Sequence, residues 1–138
     1  MTSKNQNNYV LGFLFRSNHS QVALIKKRKP EWQRNKLNGI GGKIEQGEEP
    51  TQAMRREFLE ETGADVEKWR PYAIIRWRGG LIHCFVSHGD FSVTSATVEE
   101  VRWYDVSEIP TLPTIPKLRW LVPLALDEIV TSMIDDRS

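Results

Sequence analysis

The sequence predicts an α+β fold in which a mixed β-sheet is packed between helices. Three observations predict it: short apolar runs separated by turn signals, a charged helix in the middle of the chain, and an apolar helical pattern near its end. Elements in the order strands, helix, strands, helix favour a mixed sheet covered on both faces. A chain of 138 residues has the size of one domain. We therefore expect residues 1–138 to form one domain, with residues 1–8 as a loose polar tail.

The first strands are predicted in the opening third of the chain. Residues 9–15 (YVLGFLF) and 21–26 (QVALIK) are apolar runs separated by a polar segment, which indicates two strands and a turn. Residues 37–42 (LNGIGG) are too rich in glycine for a helix. We expect them to form a short strand that leads into a tight turn.

The central helix is predicted to begin near Pro50 and to end at Gly63. Proline is favoured in the first turn of a helix, and Glu48 and Glu49 suit the positive end of the helix dipole. Glycine just past the last turn is a natural stop. These signals agree with one another, so the limits of this helix are predicted from both ends.

The second half of the chain predicts three or four strands and a closing helix. Residues 72–77 and 81–86 flank a Gly-Gly pair, which indicates a β-hairpin. Residues 91–93 are expected to add an edge strand, and 101–104 another strand. A proline-rich loop over 109–116 then leads to an amphipathic helix predicted for 117–133, with a bend at Pro123.

Composition restricts the classes of function. The formal net charge of +1 gives no overall attraction to nucleic acid or to a membrane, so any recognition of phosphate must be local. The single cysteine, Cys84, excludes an internal disulfide and favours a reducing compartment; its apolar surroundings indicate a buried thiol. The polar start MTSKNQNN is unlike a signal peptide, and no apolar run approaches the roughly 20 residues of a membrane span. We expect a cytoplasmic protein.

Carboxylates are concentrated on the central helix. Glu57, Glu60 and Glu61 stand three and four residues apart, which brings them to one helix face, and a glycine-rich loop precedes them. Mg²⁺ prefers oxygen ligands, and a glycine backbone can approach a metal or a phosphate closely. A solvated helix face is the alternative, because each like-charge pair costs only about 0.2–0.5 kcal/mol.

Residues 42–64 resemble the Nudix box, Gly-x5-Glu-x7-Arg-Glu-U-x-Glu-Glu-x-Gly-U, in which U is a bulky apolar residue. One position departs from the pattern: Ala64 is smaller than the usual last residue, which affects packing and not chemistry. The fixed positions are all present, namely Gly42, Glu48, Arg56, Glu57, Glu60, Glu61 and Gly63, with Phe58 as the first U.

The resemblance implies a Nudix-type α/β/α sandwich and a Mg²⁺-dependent pyrophosphohydrolase, with Mn²⁺ as an alternative metal. It implies Glu57, Glu60 and Glu61 as the metal ligands, Glu48 as a further ligand or a loop contact, and Arg56 as the residue that orients the carboxylates. The family's general base is less fixed and often lies in a later loop. Glu100 is favoured slightly over Glu99, although an ordinary exposed pair is an equal alternative.

The segment LNGIGGK resembles the entrance found in the nucleoside-triphosphate-sanitising branch of this family. That resemblance implies Asn38 as a base contact, with a turn residue that caps Gly39 as the alternative, and Gly41, Gly42 and Lys43 beside the phosphates. Lys26 and Trp120 are further substrate candidates; the alternatives are a solvated lysine and a core aromatic residue. Lys117 and Leu118 stand where some members carry acidic residues that read an oxidised purine, which disfavours 8-oxo-dGTP.

The most favoured function is therefore the hydrolysis of a (d)NTP to the monophosphate and pyrophosphate. Alternatives are the hydrolysis of RNA 5′ ends, which the basic residues at 26–29 and at 76 and 78 keep open, and the hydrolysis of ADP-ribose or a dinucleotide. A non-catalytic nucleotide-binding regulator is a further alternative, although such proteins typically lose box carboxylates. Paired relatives are common in this family, so a homodimer is kept open.

Overall fold

The computed structural model describes residues 7–127 and 132–135. Eight strands and two α-helices make up the fold. They are β1 (Asn8–Phe15), β2 (Gln21–Lys26), β3 (Leu37–Asn38), β4 (Ile40–Lys43), α1 (Pro50–Thr62), β5 (Arg70–Trp77), β6 (Gly80–His88), β7 (Glu100–Asp105), α2 (Leu118–Ala125) and β8 (Ser132–Asp135).

The strands form one mixed sheet that divides at β1. Its main path runs β3-β2-β1-β6-β5-β8, while β4 pairs with β1 and β7 pairs with β2. The first half of β1 pairs with β4, from Tyr9 opposite Lys43 to Gly12 opposite Ile40, whereas its last residue, Phe15, lies opposite Val22 of β2. Strands β2 and β4 therefore share one edge of β1 and diverge from each other.

Each face of the sheet buries its own apolar layer. Helix α1 covers one face through Ala53, Met54 and Phe58, and α2 covers the other through Leu118 and Leu121. The side chains of β1 alternate between the two layers, as a strand with both faces buried requires. Val10 and Leu14 belong to the α1 layer, and Leu11, Phe13 and Phe15 belong to the α2 layer. The expected mixed sheet between helices is confirmed.

Local sequence signals fix both ends of α1. Glu49 and Gln52 form a reciprocal capping box, and Pro50 occupies the first turn. Gly63 ends the helix with φ of 76° and donates its N–H to the Leu59 carbonyl at 2.9 Å. Glycine adopts this left-handed conformation without the steric cost that a Cβ would add. The predicted limits, Pro50 and Gly63, are confirmed.

The helix predicted over 117–133 is confirmed only in its first half: it is wrong for 126–127 and 132–133, and its residues 128–131 lie outside the described residues. Helix α2 ends at Ala125, and residues 132–135 form β8, which runs parallel to β5 with Ala73 opposite Ser132. Pro123 has no N–H to donate, which weakens the last turns of a helix. A backbone edge on β5 provides an alternative set of hydrogen bonds, and the apolar periodicity of the sequence does not register that edge.

Two smaller predictions also need correction. Residues 91–93 form no strand; Phe91 and Val93 instead pack against the α1 layer. The loop expected over 109–116 begins inside a 3₁₀ helix, Val106–Thr111. The hairpin is confirmed as β5 and β6, and the strand expected at 101–104 as β7. Asn8, expected in the tail, already belongs to β1, and Asn7 is a turn residue before it; residues 1–6 of the predicted tail lie outside the described residues.

Two observations bear on the composition-based expectations. Cys84 is a free cysteine in the core, and burial raises the pKa of its thiol to about 12, so it is a packing residue as expected. Among the residues that the structure describes, no helix is both long and apolar enough to cross a membrane.

Tyr72 provides a test of the contact between the sheet and α2. Its hydroxyl is buried and donates a hydrogen bond to the Leu121 carbonyl at 3.0 Å. We expect Tyr72→Phe to lower the free energy of unfolding by about 1 kcal/mol, because a buried hydrogen bond is lost without a change in shape. Urea denaturation measures the effect. Tyr104→Phe is the matched control, since Tyr104 is half-buried against the same layer; an equal loss there would contradict the prediction.

Candidate active site

The site begins where the glycines of β4 meet helix α1. A Cβ on Gly41 would overlap the carbonyl of Val10 on the neighbouring strand, so β4 can lie this close to β1 only with glycine there. A Cβ on Gly42 would overlap the carboxyl group of Glu57. The Glu57 carboxylate therefore lies directly against the β4 backbone, and the two glycines create the space for it.

Arg56 is at the centre of the carboxylate cluster. Its guanidinium donates to both oxygens of Glu48, at 2.6 and 3.0 Å, to Glu57 Oε2 at 3.0 Å and to Glu60 Oε1 at 3.3 Å. It also donates to the Lys43 carbonyl at 3.1 Å, which joins the helix to the end of β4. One cation thus holds three carboxylates and the glycine loop in a fixed relation.

Burial and the contacts with Arg56 shift the pKa values of these carboxylates in opposite directions. Burial raises the pKa of Glu57 above its ordinary value, although its hydrogen bond with Arg56 acts in the other direction. The hydrogen bonds from Arg56 hold the pKa of Glu48 below its ordinary value, and the same contacts raise the pKa of Arg56 itself. Glu57 is therefore the carboxylate whose charge is least favoured by its surroundings, and a further cation would stabilise that charge.

Glu61, whose charge contributes to the raised pKa of Glu57, also contacts a later segment of the chain. The Thr97 hydroxyl donates to Glu61 Oε1 at 3.0 Å, and the backbone N–H groups of Ala96 and Thr94 donate to the carbonyls of Glu61 and Thr62. The segment 94–97 is thereby held against the last turn of α1. Glu61 therefore joins the carboxylate face of α1 to this later segment, a contact that the sequence did not reveal.

Residues Glu99 and Glu100 follow this segment and have different surroundings. Glu99 accepts hydrogen bonds from the Lys27 ammonium at 3.2 Å and the Arg28 N–H at 2.6 Å, and its own N–H donates to Thr97 Oγ1 at 3.3 Å. Burial alone would raise the pKa of Glu99, but these contacts bring it below its ordinary value. Glu100 begins β7 opposite Lys26 and accepts a hydrogen bond from Arg102 at 2.7 Å.

The other substrate candidates occupy three places. Asn38 is buried, and its amide is engaged within the protein: Oδ1 accepts from the Gly39 N–H at 2.7 Å, and Nδ2 donates to Gln33 at 3.2 Å. Lys26 and Lys43 are exposed at the ends of β2 and β4. The Trp120 side chain is 40% exposed on α2 and is therefore not a core residue.

Several residues of this region were missed by sequence reasoning. Thr97, Gln33 and Lys27 make contacts that hold the predicted site residues in place. None belongs to a spaced motif, and the Thr97–Glu61 and Lys27–Glu99 contacts join parts of the chain 36 and 72 residues apart. No local signal in the sequence could have revealed these pairings.

The residues present fit a divalent cation. Within residues 7–127 and 132–135, no group of three or more His, Cys, Asp and Glu side chains is arranged to hold a metal ion. The donor set is nevertheless suitable, because carboxylate oxygens are the ligands that Mg²⁺ prefers. The Glu57 carboxylate has a raised pKa in the space left by Gly42, and Glu60 remains exposed on the same side of Arg56.

The fold and the carboxylate site are those expected of a metal-dependent hydrolase. Comparison with known proteins identifies the family. The model of the NUDIX domain matches residues 6–123. The chain belongs to the Nudix hydrolase family, as its box resemblance indicated.

Three relatives illustrate the family relationship. The chain is 32% identical to the oxidized purine nucleoside triphosphate hydrolase of Danio rerio over 94 residues, which are 63% of this chain and 60% of that protein. It is 27% identical to the NAD-capped RNA hydrolase NudC of Stutzerimonas stutzeri (strain A1501) over 109 residues, 75% of this chain and 40% of that one. The match thus spans less than two thirds of either relative.

The solved structures show the same fold. The mutator MutT protein of Bacillus halodurans superimposes with a TM-score of 0.75 at 21% identity, covering 94% of this chain and 90% of that one. This likeness supports the mixed sheet between two helices described above.

Gly42→Ala tests whether the glycine maintains the position of Glu57. The added methyl group would overlap the Glu57 carboxyl, so we expect kcat to fall at least about tenfold for a displacement of the order of 1 Å. Steady-state kinetics with the best substrate measures it.

A double-mutant cycle supplies the control. In a Glu57→Ala background the obstruction is absent, so adding Gly42→Ala should change the residual activity little. An equal loss in both backgrounds would show that Gly42 acts independently of Glu57.

Proposed function

We propose that this protein hydrolyses the phosphoanhydride of a nucleoside diphosphate linked to another group, and that a (d)NTP, cleaved to the monophosphate and pyrophosphate, is the favoured substrate. The observation that carries the proposal is the cluster of carboxylates around Arg56, against the glycine backbone of β4. A phosphoanhydride requires neutralisation of its charge and a positioned water. The carboxylates would meet the first requirement by holding a divalent cation, and a carboxylate base would meet the second.

In this proposal Glu57, Glu60 and Glu61 would hold Mg²⁺, or Mn²⁺ in its place, with Glu48 as a further ligand or a loop contact. The bound cation supplies charge neutralisation at the phosphate oxygens. Arg56 orients Glu48, Glu57 and Glu60 through its hydrogen bonds. The Gly41–Gly42 backbone lies beside the carboxylates and has no side chain to exclude a phosphate.

A general base must accept a proton from the attacking water, and we propose Glu100 for this role. Both oxygens of Glu99 are engaged by Lys27 and by the Arg28 N–H, and its lowered pKa makes it a poorer acceptor. The Glu100 side chain is more exposed than that of Glu99, and it accepts a hydrogen bond from Arg102. Its neighbour Glu99 is linked through Thr97 to Glu61, which places this segment beside α1.

The nucleoside end is proposed to contact Asn38, Lys26 and Trp120, with Lys43 nearer the phosphates. The Asn38 amide would need to exchange its bond with Gln33 for one with a base. Leu118 is fully buried in the α2 layer, so that position is not available to read an oxidised purine. This supports an ordinary (d)NTP over 8-oxo-dGTP, although a relative is named for oxidised purine triphosphates.

The proposal includes a reducing, cytoplasmic location, which agrees with the single buried thiol of Cys84.

The first experiment is turnover in Mg²⁺ of the eight standard (d)NTPs, 8-oxo-dGTP, ADP-ribose, NADH and a dinucleoside polyphosphate. Release of monophosphate and pyrophosphate from a triphosphate supports the proposal. Turnover of ADP-ribose or a dinucleotide alone would contradict the (d)NTP assignment.

Glu60→Gln tests the proposed metal ligands. Glu60 is exposed, so the change removes a charge with little effect on packing, and we expect kcat to fall by at least about 100-fold with the unfolding midpoint retained. Glu108→Gln is the matched control, since it removes an exposed carboxylate from the 3₁₀ helix. If Glu60→Gln keeps near-native turnover at saturating Mg²⁺, the ligand assignment fails.

Trp120→Ala tests the proposed base contact. Stacking on a base contributes about 1–3 kcal/mol, so we expect KM to rise at least about fivefold with kcat nearly unchanged. Trp77→Ala is the matched control, because Trp77 is also a partly exposed tryptophan, at the end of β5. If Trp77→Ala raises KM and Trp120→Ala does not, the base lies near the hairpin instead.

A further inference from the structure

The charge of the chain is distributed unevenly. Residues 26–36, which we call the basic loop, contain six Lys or Arg and one Glu, for a net charge of +5. The remaining residues contain 13 basic and 17 acidic side chains, for a net charge of −4. The near-neutral total therefore conceals one strongly positive segment, and such a segment attracts a polyanion at short range.

The basic loop is an ordered surface. Lys27 and Lys36 are joined by a backbone hydrogen bond of 2.9 Å, and the Asn35 N–H donates to the Lys27 carbonyl at 2.8 Å. A short 3₁₀ helix, Glu31–Gln33, forms its tip. Lys26, Arg28, Lys29 and Lys36 are all exposed, and the one acidic residue, Glu31, lies 3.8 Å from Arg34.

An aromatic side chain lies among these cations. Trp32 is 58% exposed, which is unusual for a residue that is generally well buried. The Lys36 ammonium donates to the Trp32 carbonyl at 3.4 Å, so a positive charge lies next to the tryptophan. Cations that contact phosphates and an aromatic ring on which a base can stack are the two features of single-strand binding surfaces.

Hydrogen bonds connect the basic loop to the α1 site. Glu99 binds the Lys27 ammonium and the Arg28 N–H, while its own N–H donates to Thr97, whose hydroxyl donates to Glu61. Lys26 also lies directly opposite Glu100 across β2 and β7. The start of the loop is therefore joined to the last turn of α1 and to the start of β7.

We propose that the basic loop binds the chain of a single-stranded nucleic acid whose 5′ end enters the α1 site. The inference rests on the proposed phosphoanhydride hydrolysis for the reaction at that 5′ end. Arg28, Lys29 and Lys36 contact the backbone phosphates, and Trp32 stacks on a base. Tryptophan is also common at membrane interfaces, but the contacts that join the loop to α1 through Glu99 and Thr97 favour a ligand with a phosphate end for that site, which is a nucleic acid.

Binding is tested with the full chain and a 3′-labelled 12-nucleotide single-stranded RNA that carries a 5′-hydroxyl, followed by fluorescence anisotropy over a salt series. This probe has no anhydride, so binding is measured independently of catalysis. We expect Arg28→Gln/Lys29→Gln to reduce the slope of log K against log salt by about 1.4, because each phosphate contact contributes about 0.7. Trp32→Ala should weaken binding by about 5- to 150-fold.

Matched controls separate the outcomes. Lys68→Gln/Arg55→Gln removes two exposed charges elsewhere and should leave RNA binding unchanged. The loop variants should keep wild-type turnover of the free nucleotide, so loss of RNA binding alone supports the proposal even if the best nucleotide differs from the one proposed. The proposal is overturned if the wild-type protein does not bind the RNA at low salt, or if the loop variants bind as the wild type does. It is also overturned if the control variant loses as much, or if phosphatidylserine vesicles bind the loop in preference to RNA.

Discussion

The site depends on the contact between the Arg56 guanidinium and the carboxylates that surround it. Glu48, Glu57 and Glu60 are brought together by the loop before α1 and by the helix itself, and without a cation their charges would repel. Arg56 supplies that cation from within the same helix, and its planar fork can donate to several carboxylates at once. Its further bond to the Lys43 carbonyl joins the cluster to β4, so the charge arrangement and the backbone arrangement stabilise each other.

The glycines of β4 act together with this arginine. Gly41 permits β4 to lie close to β1, and Gly42 leaves room for the Glu57 carboxylate. As a result, Glu57 is partly withdrawn from water, and burial raises its pKa while Arg56 opposes that change. A second cation would strongly stabilise the charged form of this carboxylate, because burial disfavours that charge and Arg56 offsets only part of the cost. The packing of β4 on β1 therefore contributes directly to the electrostatics of the site.

The sequence was sufficient where a structure is determined by neighbours along the chain. The capping box at Glu49, the left-handed Gly63 and the spacing of Glu57 from Glu60 are local, and all were predictable. Predictions failed where distant segments compete for a residue. Residues 132–135 have a helical pattern but pair with β5, and Phe91 packs on the α1 layer instead of joining the sheet. The hydrogen bond between Glu61 and Thr97 was not predicted either, because it joins residues 36 apart and no local periodicity records it.

These distant contacts also explain how one small domain could join chemistry to recognition. Glu99 connects the basic loop to α1. Its carboxylate binds the start of the loop, and its backbone N–H donates to Thr97, whose hydroxyl donates to Glu61 at the end of α1. Lys27 neutralises that carboxylate and Arg28 binds it through its backbone N–H, while the Arg28 side chain is exposed. A loop held in this way loses little conformational entropy when it binds a ligand, which favours recognition by a surface of modest size. The contacts of Glu99 thus hold the basic loop beside the segment that packs against the last turn of α1.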